Sequence, residues 1–215
     1  PILLNFVPEG IYYWVLNIEY HIIDDLERPR EIATFQIDVG NAKRFDISYT
    51  DQNGAKQYPP IIHTALIGTV ERYIFTVLDT CAKMEKQGKK PQLPIWLAPT
   101  QVRILPVTSD YLAYADELAG RLNSERVRTD VDDSDETVER RVRSAEMLWI
   151  PYIVVVGAKE KSGQKLPVRA RHTGKQQLMT LQELVSEVQT KTAGMPFRPL
   201  TIPVHVSQRP GYRTG

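Results

Sequence analysis

The run Tyr152-Ile153-Val154-Val155-Val156, closed by Gly157, has five apolar residues and no polar interruption. A strand that meets water on one face alternates apolar and polar side chains. One without alternation is covered on both faces, which requires helices on either side of a mostly parallel sheet. The flanking sequence supplies them. Val102 to Val107 reads as a strand. Ser109 caps a helix reaching about Asn123, with Leu112, Tyr114, Ala115, Leu118 and Leu122 as its apolar stripe. Val127 to Val131 reads as a second strand and Glu136 to Leu148 as a second helix. Lys165 to Arg171 is a strand after a loop carrying Ser162-Gly163, and Leu181 to Thr192 is the last helix. This β-α-β-α-β order predicts a mixed, mainly parallel α/β/α domain. The tail from Phe197 to Gly215, with Pro199, Pro203 and Pro210, is expected to pack back as an extended segment.

Ahead of Pro91 the pattern differs. Residues 11–23 are aromatic and β-branched, as in a strand. Asp24 to Pro29 reads as a hairpin connection, and Glu31 to Val39 as the returning strand. The two-residue period puts Thr34, Gln36 and Asp38 on one face, opposite Phe35, Ile37 and Val39. That suits a sheet lining a pocket, or a half-solvated sheet. Asp51-Gln52-Asn53-Gly54 is a turn signal. Residues 59–79 read as a short strand turning into a helix, with Ala65, Leu66, Thr69, Val70, Tyr73, Ile74, Val77 and Leu78 at helical spacing. Glu71 and Arg72 interrupt that oily surface; they form either a helix ion pair or a ligand site. Gly68 lets a backbone or a ligand approach closely. Lys86 to Pro94, polar, basic and with two prolines, reads as a linker, which divides the chain into residues 1–90 and 91–215. The overall class is therefore α/β in the wide sense, α+β when both parts are counted.

Net charge is only +1, which argues against bulk electrostatic nucleic-acid binding but not against a local basic face. The single cysteine, Cys81, excludes an internal disulfide and a cysteine zinc cluster, and reads as a core residue. No run is long and apolar enough to span a bilayer, so the expected compartment is the cytoplasm. The chain begins with Pro1 rather than Met, as a cut-down chain would.

The Gly68…Glu71-Arg72 helix resembles motif 3 of class II aminoacyl-tRNA synthetases, and the lead-in Ile62-His63-Thr64-Ala65 narrows the likeness to threonyl-tRNA synthetases of an archaeal type. Trp96 to Val102, Pro151 to Glu160 and Val168 to Arg171 resemble the anticodon-binding domain that several class II synthetases share. The resemblance implies an antiparallel remnant of the catalytic domain followed by an anticodon-binding domain. It implies a threonine–tRNA ligase whose segment here binds the anticodon of threonine tRNA and contributes motif 3 to the site for ATP and threonyl-adenylate. Arg72 would lie on the ATP phosphates as a catalytic residue, with Thr34 and Gln36 facing the adenylate. Glu160 and Arg169 would read anticodon bases, with Arg171 beside them; Asp135 falls where bacterial relatives place an Asn contact.

His63 admits two readings: a hydrogen-bonded core histidine in this chain alone, or one of three zinc ligands in the intact family enzyme, the other two lying upstream. The implied cofactors are ATP with Mg2+, and Zn2+ in the intact enzyme but not in this chain by itself. The implied partners are threonine tRNA, threonine and ATP, with a homodimer formed through regions outside this sequence. Motifs 1 and 2 have no room within Pro1 to Tyr20, so the segment alone is expected to be inactive in aminoacylation. The alternative is the tRNA-binding part of a non-catalytic, editing-type relative. Arg140, Arg141 and Arg143 read as a solvated helix face.

Overall fold

The computed structural model describes residues 3–8 and 10–210. The chain divides into two compact units, Pro1–Lys83 and Met84–Gly215.

The first unit carries β1 (Trp14–Ile23), β2 (Pro29–Asp38), α1 (Asn41–Arg44), β3 (Tyr49–Thr50), β4 (Lys56–Gln57) and β5 (Ile61–Ala65). Its main sheet is antiparallel in the order β1-β2-β5. Asp24 builds the first hairpin. Its buried carboxylate accepts the backbone N–H groups of Leu26 and Arg28, and Nε of Arg28 and Arg30. Burial pushes this carboxyl up, but those bonds outweigh it and hold the group far below the usual range. The predicted helix begins later than its apolar spacing suggested: Ala65 ends β5, and α2 runs over Val70–Lys86. Gly68 explains the offset. Its φ is +66°, and a Cβ there would stand 2.9 Å from the carbonyl oxygen of Ile32. The close approach is therefore by backbone, at a left-handed turn that glycine accepts without strain. Cys81 is buried in α2, as expected of a core residue.

The second unit holds a five-stranded sheet, β10-β9-β8-β6-β7, from β6 (Val102–Pro106), β7 (Thr129–Val131), β8 (Tyr152–Val156), β9 (Leu166–Ala170) and β10 (Lys175–Met179). β6 runs parallel to β7 and β8, while β8–β9 and β9–β10 are antiparallel. The apolar run of β8 is covered on both faces, as its composition required. Val154 and Val156 join Leu118, Leu122, Leu184 and Val185 from α3 (Leu112–Ser124) and α6 (Leu181–Lys191). Ile153 joins Ala145 of α4 (Val138–Met147) in the core cluster on the other side.

Four further details depart from the sequence reading. Ser109 does not cap α3; it opens a 3-10 turn over Ser109–Tyr111 that leads into the helix. β10 and the short α5 (Ala158–Ser162) were not anticipated. Arg141 is not on a solvated face: it is buried and donates to the carbonyls of Asp132 and Pro106. The tail does pack back as far as it is described. Val131 pairs with His205 in a parallel bridge, Ser207 bonds Asp133, and Arg209 meets buried Asp130 at 2.8 Å. Residues 211–215 of that tail lie outside the described residues.

Candidate functional site

In the first unit the expected site residues fall into two groups. Gln36 lies opposite His63 across the β2–β5 ladder, with Thr34 two residues along. His63 Nε2 stands 2.8 Å from Asp38 Oδ2, the Tyr13 hydroxyl donates to Gln36 Oε1, and the Tyr13 ring meets the His63 ring edge-on. Asp38 is fully buried. Burial pushes its carboxyl up, but the N–H of Asn41, His63, the N–H of Gly40 and the Asn41 amide together bring it down to about 2. A permanent carboxylate therefore orients His63. That partnership was readable only in part: alternation placed Asp38 on the face of Thr34 and Gln36, but nothing in the sequence aligned it with His63. His63 is hydrogen-bonded yet half-exposed rather than buried in the core. Among the described residues no three His, Cys, Asp or Glu side chains are placed to hold a metal.

Arg72 belongs to the second group. It lines a cleft of about 610 Å³ with Arg30, Glu31, Ile32, Phe75 and Glu71. Its ion pair is with Glu31 across the cleft, at 3.5 Å, and not with Glu71. Glu71 lies in the first turn of α2, where its own backbone N–H and the Thr69 hydroxyl lower its pKa. Arg30 stacks over Phe75, so two guanidinium groups face one concavity. Thr34 and Gln36 do not line it.

In the second unit Arg169 and Arg171 converge on one residue. Arg169 Nη1 donates to Glu146 Oε1 at 2.9 Å, and Arg171 Nη1 donates to the Glu146 carbonyl at 2.6 Å. Arg171 is tied down further by Nε to the Pro91 carbonyl and lies over the Trp149 ring at 5.8 Å. Arg169 is exposed and Arg171 half-buried. Glu146, in the last turn of α4, and Trp149, just beyond it, were missed by sequence reading, because the helix end gave no hint of the strand it faces. Glu160 serves its own helix, since its Oε2 accepts the Gly157 N–H at 2.9 Å and caps α5. It stands beyond the C-terminal end of β8, whereas Arg169 pairs with Ile153 near that strand's start. Asp135 is exposed in the loop before α4. His172 packs against Tyr152 and Lys191 on the α6 side, apart from the arginines. Burial and the Lys191 charge lower its pKa, so the neutral ring is favoured.

Residues 101–191 match the family profile of the anticodon binding domain. Over these residues the chain carries an anticodon-binding domain. Threonine–tRNA ligase of Pyrobaculum calidifontis is 57% identical over 210 residues, 98% of this chain and 34% of that protein. The protein of the same name from Thermofilum pendens is 54% identical over 212 residues, 99% of this chain and 35% of that one. The chain thus spans about a third of the length of the curated relatives it matches. Among solved structures, the RNA binding domain of threonyl-tRNA synthetase from Cryptosporidium parvum Iowa II aligns with a TM-score of 0.66 and 29% identity. That alignment covers 84% of this chain and 43% of the other. Arg169, Arg171, Glu146 and Glu160 all lie inside the anticodon-binding domain. Among the described residues no helix is long and apolar enough to cross a membrane.

Proposed function

We propose that this chain is the part of a cytoplasmic threonine–tRNA ligase that reads the threonine tRNA anticodon and lends Arg72 to the ATP site. The observation that carries the first half is the Arg169 guanidinium. It is exposed, lies within the anticodon-binding domain, and among the described residues engages Glu146 through Nη1 only. A planar guanidinium held in this way keeps donors for the edge or the face of an unstacked base. Glu160, capping α5 through one oxygen, keeps the other to accept from an exocyclic amine.

The second half rests on the cleft that Arg30 and Arg72 share. Activation joins the threonine carboxylate to the α-phosphorus of ATP and breaks the bond to pyrophosphate. It depends on positioning and on fixed positive charge where negative charge gathers. Arg72 would exchange Glu31 for phosphate oxygens there, and Mg2+ bound with ATP would shield the remaining charge. Thr34 and Gln36, on the neighbouring sheet face, are our candidates for holding the adenylate. Zinc in the intact enzyme would need His63 together with ligands from outside this sequence, since no three donors among the described residues are placed to hold a metal.

The deciding experiment compares the affinity of the chain for threonine tRNA and for the same tRNA with its anticodon replaced, at one salt concentration. The expected result is a clear preference for the cognate anticodon. Arg169→Ala should weaken cognate binding by roughly 1–3 kcal/mol and leave the swapped tRNA almost unchanged. Equal losses on both RNAs would make Arg169 a phosphate contact. In a full-length ligase, Arg72→Ala should abolish threonine-dependent ATP–pyrophosphate exchange; exchange that persists would remove its phosphate role.

A further inference from the structure

The end of α4 is built in an unusual way. The Ile150 N–H bonds the Ala145 carbonyl and the Trp149 N–H bonds the Glu146 carbonyl, each at 3.1 Å. This is the paired closure of a Schellman turn, which places one residue in the left-handed region, and glycine normally fills it. Here the residue is Trp149, with φ +56°. A bulky aromatic there is strained, and such strain persists where the surroundings or a function hold it. The turn does not need the ring for its own packing: the apolar contact that normally closes it is made by Ala145 and Ile150, both in the buried cluster. The ring instead lies half-buried at the surface, under the Arg171 guanidinium. Its neighbours Met147 and Leu148 are exposed, and Arg169 pairs with Glu146, three residues before the ring.

We propose that Trp149 is a stacking platform for an unpaired RNA base beside Arg169; this rests on the anticodon reading above. An aromatic face accepts any base, and a guanidinium already clamped by the Pro91 and Glu146 carbonyls holds the ring in place without competing for base edges. Stacking supplies affinity here, while Arg169 supplies choice.

The test uses the whole chain and a threonine-anticodon stem–loop RNA at fixed salt. Trp149→Gly removes the ring and gives the turn the residue it prefers. The variant should melt at or above the wild-type temperature while binding the loop on the order of tenfold more weakly. Trp149→Phe should keep most of the affinity. On a loop with abasic sites at the anticodon, wild type and Trp149→Gly should bind alike. Unchanged loop affinity in Trp149→Gly, alongside a loss in Arg169→Ala, overturns the platform and leaves the anticodon reading standing. A melting temperature well below wild type, or a difference that survives on the abasic loop, also overturns it. If the wild-type chain does not bind the loop at all, both readings fall together.

Discussion

In the second unit Val102, Leu105, Leu122, Val131, Tyr152, Val156 and Val168 are all fully buried, and helices cover both sheet faces. In the first unit only Ala42 and Cys81, among described apolar residues, are buried. Leu66 is 82% exposed, Val70 68% and Ile62 62%, and much of β1 shows apolar side chains as well. Both units carry many oily residues but place them differently. One closes a core around its own sheet. The other presents an apolar sheet and helix that no described residue covers, a surface larger than a stand-alone domain keeps. What holds the first unit in shape is polar: Asp24 in the hairpin, Asp38 on His63 and Asn41, and Asp79 on Asp25 and Lys83. A fold can therefore be specified by its turns without being stable through its core.

The sharpest way to break this comparison is to separate the units. Residues 84–215 alone should melt cooperatively, with stability on the order of 5 kcal/mol, and residues 1–83 alone should show no cooperative transition. Thermal melts followed by near-ultraviolet circular dichroism would decide, and cooperative melting of the shorter piece would refute the contrast. Next in size is a place where the second unit buries an acid between two arginines. Asp130 is fully buried between Arg103 and Arg209, with Thr100 donating to it. Asp130→Asn leaves two arginines facing a neutral group and should cost about 3–5 kcal/mol in urea denaturation. A cost near zero would mean that the tail arginine swings out to water and the network holds nothing.

Acid should act on the first unit before the second. Asp24 and Asp38 titrate below the ordinary 3.8 when folded, Asp38 at about 2. Depressed carboxylates contribute stability that is complete above the unfolded value and disappears as pH falls through the folded one. Between roughly pH 4 and pH 2 the β1–β2 amides should lose hydrogen-exchange protection while the β6 and β8 amides keep theirs. Burial raises Asp133, but the Ser207 hydroxyl and N–H bring it below its ordinary value, so the tail should loosen over the same range without unfolding the sheet. Simultaneous loss of protection across both units would mean that they do not unfold separately.

Much of the architecture was legible before any coordinate. The unbroken apolar run of β8 required two covering layers, and it has them, because a strand cannot bury both faces with helices on only one side. The hairpin after Ile23 and the buried Cys81 were likewise local matters of side-chain type. β10 was not legible: Lys175 to Leu178 are polar or exposed, and an edge strand needs only a partner's backbone. Nor was the fate of Arg141, since charge on a helix reads as solvated until two orphaned carbonyls are found beneath it. The candidate sites divide in the same way. Residue types nominated Arg72, His63, Glu160 and Arg169. Tertiary structure gave Arg72 to Glu31, His63 to Asp38, Glu160 to its own helix end, and Arg169 to Glu146, all partners distant in sequence except the cap. Period and composition fix which face of an element is oily. Which charge meets which depends on distances across the fold, and those exist only once the strands are in register.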